Sequence, residues 1–240
     1  MSRFVTAFGW EMRIQWRQGI HYAALVMVLI WVVALARMPE DLRALLLPFG
    51  LFMDVSIFGL YFMAAALFLE KGEGVLEALV VTPAPRGLYL VSKLSSLTLV
   101  AVVASVVLAL VFFGAQVNWF YLVAGTALNA WFLTLVGFIL AARYNSITDF
   151  LVPSIYFMAP SQIPLLWYFE IWRHWLVYLV PTQPAMLLIA AAFRSSPAVP
   201  RVAGWEIAYS FVYLLAACLA VTWLALRSYD QFVVRKQGRR

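Results

Sequence analysis

Cysteine, histidine and charge are all scarce in this 240-residue chain, and each shortage removes a class of function. Cys218 is the one cysteine and sits inside an apolar run, so a single chain can build neither a disulfide framework nor a thiolate metal cluster. The two histidines, His21 and His174, lie far apart and outside any H-E-x-x-H spacing, which leaves no imidazole pair for a catalytic metal. No G-x-x-x-x-G-K-S/T run is present to cradle nucleotide phosphates, and no G-x-S-x-G elbow to present a serine nucleophile. Neither a catalytic nor a metal-binding residue is expected. Charged residues make up 12% of the chain against 65% hydrophobic, and the mean hydropathy is +0.90. A soluble domain carries about one quarter charged residues. The chain therefore reads as an all-α membrane protein, one transmembrane domain over residues 1–240. Its net charge of +6 comes from cations dispersed between apolar spans, which argues for membrane topology and against nucleic acid as a partner.

What is present is a series of apolar runs separated by short polar links. Residues 1–19 are too charged for a cleavable signal peptide. Phe4, Phe8 and Met12 recur at helical spacing while Arg3, Trp10, Arg13 and Arg17 share another side, the pattern of an amphipathic helix lying in the interface with its arginines at lipid phosphates. Spans are expected at 20–36, 44–69, 94–115, 119–142, 150–169 and 206–226, the fifth kinked by Pro153, Pro160 and Pro164. Residues 170–205 are harder to place, because the apolar stretch 176–193 is split by Pro181, Thr182, Gln183 and Pro184. Charge decides between the alternatives. With six spans and both termini in the cytoplasm, 12 of the 17 Lys and Arg residues fall inside and 5 outside. A seventh span would throw the basic C-terminal tail outside. The 176–193 stretch is thus expected to form re-entrant or interfacial helices on the outer side, beside an interfacial belt of Trp167, Tyr168, Trp172, Trp175 and Tyr178.

One interval does not fit a membrane interior. Residues 70–93 carry Glu70, Glu73 and Glu77, the cations Lys71, Arg86 and Lys93, the glycines Gly72 and Gly74, and the prolines Pro83 and Pro85. Between Gly74 and Pro83 the residues Val75, Leu76, Leu79 and Val80 predict a short amphipathic helix, which the prolines end before a new helix starts near Gly87. The charge balance puts this interval in the cytoplasm. Asp54 is the one carboxylate in the interior of a predicted span, Glu206 standing at the very start of the last, and is a candidate for a substrate contact or a proton site.

The 70–83 sequence, EKGEGVLEALVVTP, resembles the coupling segment of the type-2 ATP-binding cassette exporter permeases, E-R/K-E-x-G-T-L/M-E-x-L-x-V/A-T/S-P. It matches at Glu70, Lys71, Gly74, Leu76, Glu77, Leu79, Val81, Thr82 and Pro83, and departs at Gly72 and Val75. The N-terminal pattern Glu11, Arg13, Arg17 and the proline-containing segment before the last span extend the resemblance. It implies six spans, a cytoplasmic coupling helix, and docking through Glu70, Glu73, Gly74, Leu76, Glu77, Leu79, Thr82 and Pro83 onto a separate ATPase subunit that binds ATP and Mg. It further implies a second permease copy or homologue, surrounding lipid, and residence in the plasma (inner) membrane of a prokaryote. The short loops favour a hydrophobic or amphipathic drug or lipid as cargo; haem or polysaccharide export within the family, and a proton-coupled carrier built on Asp54, are the alternatives.

Overall fold

The computed structural model describes residues 3–74 and 86–237, and among these the chain is helical with no strand. Helix α1 (Arg3–Arg17) bends through 65° into α2 (Ile20–Ala36). Gly19 makes that bend at φ 79°, a left-handed conformation that a Cβ would strain, and its carbonyl accepts the Ala23 N–H to start α2. Helix α3 (Glu40–Gly72) begins behind Pro39 with Glu40 and Asp41 in its first turn, where carboxylates suit the positive end of the helix dipole. Helix α4 (Arg86–Phe113) follows, and then α5 (Trp119–Ala141), whose start is capped by the Asn118 side chain accepting from Tyr121 N–H at 3.3 Å. Ser146 caps α6 (Ile147–Ser161) in the same way at 3.1 Å. Helices α7 (Pro164–Tyr168), α8 (Gln183–Ala192) and α9 (Gly204–Gln237) complete the chain.

Helices α3, α4, α5 and α9, and the α6–α7 pair, are long and apolar enough to cross a bilayer, and the bent α1–α2 pair is a sixth candidate. Of the prolines expected to disrupt the fifth span, Pro153 lies inside α6 without a break, and the chain interrupts its helix only after Ser161. The 176–193 stretch forms a 3₁₀ turn at Trp175–Leu179 and the ten-residue α8. At 1.5 Å per residue α8 is about 15 Å long, half a hydrocarbon core. Every residue of α8 is buried, against α5 and α9, so its apolar sides are covered by the protein's own helices. Its sequence, apolar on all sides after Gln183, matches that position.

The expected aromatic belt needs a correction. Trp172 and Trp175 are exposed, but Trp167 and Tyr168 belong to the core at 4% and 1% exposure. The break after Ser161 lets α7 turn inward, and the Tyr168 hydroxyl then donates to the Leu45 carbonyl at 2.7 Å. Behind this core, α3 and α5 cross at backbone contact. A Cβ on Gly137 would stand 2.5 Å from the Leu60 carbonyl oxygen. Across from it α3 widens into a π-helical turn over Phe58–Phe62.

The bundle has two distinct ends. At one, the Asn118 N–H donates to the Ala192 carbonyl and the Ser195 hydroxyl to the Gln116 carbonyl, joining the α4–α5 link to the end of α8. At the other end α1, the last turn of α3 and the first turns of α4 meet.

Candidate functional site

Lys93 lies about two turns inside α4 and is 0% exposed. An isolated ammonium there would cost several kcal/mol in lost hydration, so its neighbours have to supply countercharge. Two carboxylates do so. Its Nζ pairs with Glu70 Oε1 and lies 3.0 Å from Glu11 Oε2. Glu70 Oε2 accepts from the Tyr89 hydroxyl, and the Tyr89 ring stands 5.2 Å from Lys93 Nζ. One turn further on, Gln15 Nε2 donates to Ser96 Oγ, which donates to the Lys93 carbonyl at 2.9 Å. Glu11 and Gln15 are the buried residues of α1. The N-terminal helix is therefore attached to the bundle through a carboxylate and an amide, while its apolar residues Phe4, Val5, Trp10 and Trp16 remain exposed.

Glu70 and Lys93 stand at the two ends of the polar interval, so their ion pair closes its base. Lys71 adds a second tie: its Nζ donates to the carbonyls of Ala141 at 2.9 Å and Tyr144 at 2.6 Å, satisfying acceptors at the C-terminal end of α5. Glu73 is exposed, and Gly74 takes a left-handed φ of 71° as the chain leaves α3. Ile14, Arg17, Gln18, Glu70 and Glu73 line a cleft of about 180 Å³ beside the cluster.

Of the residues singled out from the sequence, Glu70 is buried at 2% and turned toward Lys93 and Tyr89. Glu73 and Gly74 flank it on the surface side, while Leu76, Glu77, Leu79, Thr82 and Pro83 lie outside the described residues. Arg3, Arg13 and Arg17 are exposed along α1. Asp54 is some way off, buried in mid-helix beside a small enclosure walled by Val28, Leu51, Phe58, Ala101 and Ser105. The sequence reading missed that Glu11, Tyr89 and Lys93 act together. Its available signal was Lys93 itself, a cation at the mouth of a long apolar run, which requires a partner from another element.

Long apolar helices, with their buried ion cluster confined to one end, define an integral membrane protein of the multi-helix kind. Residues 2–237 match the fluoroquinolones export permease protein family, and the chain belongs to that family. It is 32% identical over 242 residues to the fluoroquinolones export permease protein of Mycobacterium tuberculosis, in strains CDC 1551 / Oshkosh and ATCC 25618 / H37Rv, with 99% of each chain covered.

Proposed function

We propose that this chain is the membrane-spanning permease of an ATP-driven drug exporter, coupled through residues 70–93 to a separate ATPase subunit, with a fluoroquinolone-like amphipathic drug as cargo. The observation that carries this reading is full-length similarity to two proteins named as fluoroquinolone export permeases. The ATPase enters through the coupling-segment resemblance and the lack of a Walker A loop, so ATP and Mg belong to the partner. In this reading the chain crosses the inner membrane of a prokaryote six times with both termini cytoplasmic, and it pairs with a second copy or homologue.

The ion cluster gives the coupling a physical form. Glu73, Gly74, Leu76, Glu77, Leu79, Thr82 and Pro83 meet the ATPase, while Glu70 acts from inside by holding Lys93. Because that pair ties the end of α3 to the start of α4, a push on the segment moves both helices together, a rigid-body step of the kind that opens and closes clefts. Asp54, on the moving α3, supplies a carboxylate for a cationic group on the cargo.

The test is Glu77→Lys. Inverting an interface carboxylate creates like-charge or unpaired contacts, so the variant should insert normally yet lose co-purification of the ATPase and drug-stimulated ATP hydrolysis. Wild-type levels of both would remove the docking role.

A further inference from the structure

Between α2 and α4 runs a groove of about 260 Å³, closed at one end by α1. Its walls are apolar, built from Ala24, Leu25 and Val28 of α2 and Leu99, Val103 and Val107 of α4. A wall of this kind suits a hydrocarbon chain and offers nothing to the polar groups of a drug, which would lose water without replacement. Polar character gathers at the α1 end. His21 lines the groove there, and its buried Nδ1 has no hydrogen-bond partner among the described residues. The Trp16 ring lies 5.3 Å from His21 and 5.2 Å from Tyr22, an aromatic collar of the type found at headgroup depth.

A cation adjoins the groove lining on α1. Met12 of α1 lines the groove, and the next residue, Arg13, is exposed, as are Arg3 and Arg17. Glu11, the only carboxylate on α1, faces the other way and is engaged by Lys93. Arg17 belongs to the other flank of α1, in the cleft with Glu70 and Glu73, which leaves Arg13, beside Met12 and 5.3 Å from the Trp10 ring, as the cation next to the groove.

We propose that this groove holds an acyl chain of an anionic phospholipid, whose phosphate sits by Arg13 and whose ester region meets the His21 imidazole. Such a lipid wedges α1 against the bundle at the end where Glu11 and Gln15 hold it from the opposite side. The assignment rests on α1 lying at headgroup depth and not on ATP coupling, so loss of the docking role in Glu77→Lys leaves it standing.

The experiment is native mass spectrometry of the detergent-purified chain after incubation with equimolar phosphatidylglycerol and phosphatidylcholine. Phosphatidylglycerol should be retained about fivefold or more over phosphatidylcholine, the ratio that the attraction of one surface cation gives. Arg13→Gln, at an exposed position that does not threaten folding, should bring the ratio down by about that factor. Val103→Phe, which fills the groove from a half-exposed position, should lower retention of both lipids. Equal retention of the two lipids by the unaltered chain, or retention indifferent to Val103→Phe, overturns the proposal. Displacement of the lipid by equimolar norfloxacin also overturns it, by making the groove a drug site.

Discussion

Lys93 is the residue on which the charged end of the bundle depends. Replacing it by methionine leaves the buried Glu11 and Glu70 without their shared cation. Breaking a buried ion pair in this way costs about 3–5 kcal/mol, because the remaining charge is neither hydrated nor paired. Lys93→Met should therefore lower the thermal unfolding temperature in detergent markedly. Adding Glu11→Gln and Glu70→Gln should recover most of the loss, since no buried charge is then left over. A triple variant no more stable than the single one would show that the cluster acts through something other than its charges. The same residues explain the direction of Glu70: an acid in the coupling pattern reads as a surface contact, but a fully buried lysine within reach draws it inward.

At the scale of elements, the α3–α5 crossing determines how closely the bundle packs. In a membrane the lipid is as apolar as the helices, so close backbone approach through small residues supplies much of the association energy. Gly137 sits where a Cβ would stand 2.5 Å from a backbone oxygen that cannot rotate away, so Gly137→Ala has to separate the two helices. Overpacking of this kind costs about 1–3 kcal/mol. The control is Gly9→Ala on α1, where nothing lies within 4 Å of the new methyl group and alanine is the better helix former. Thermal unfolding should fall for the first variant and hold or rise for the second. Equal behaviour would mean that the crossing relaxes freely. Nothing in the local sequence distinguishes these two glycines; the difference between them lies in the facing helix.

For the whole molecule, the opposed ends of the bundle turn the six-span scheme into a labelling experiment. Gly87 lies in the first turn of α4 at the α1 end, and a side chain there would meet Leu226 at an ordinary 3.7 Å. Ser195 is exposed at the other end, bonded to the Gln116 carbonyl. Cys218 is buried with its thiol toward the Leu128 carbonyl and is replaced by alanine to clear the background. In intact cells an impermeant thiol reagent should then reach Ser195→Cys from outside, and Gly87→Cys only after the membrane is opened. Labelling of both from one side would end the six-span arrangement. The exposed apolar faces of α2, α4, α6 and α9 fit the same picture, since each is a surface that water alone would not tolerate at such extent.

The sequence by itself determined the environment and most of the helices, because both are local properties: apolar runs of span length, polar links, and capping residues such as Asn118 and Ser146 act within a few residues of where they stand. It also carried the pattern of the 70–83 segment. The tertiary structure alone decided which polar residues face one another. Glu11, Glu70 and Lys93 come from three different helices, and their pairing follows from the bend at Gly19 and the return of α3 beside α4, which no periodicity records. The inward turn of Trp167 and Tyr168 and the burial of α8 have the same origin. Amphipathic and apolar stretches state what they avoid, while the partner that covers them is set by packing between segments distant in the chain.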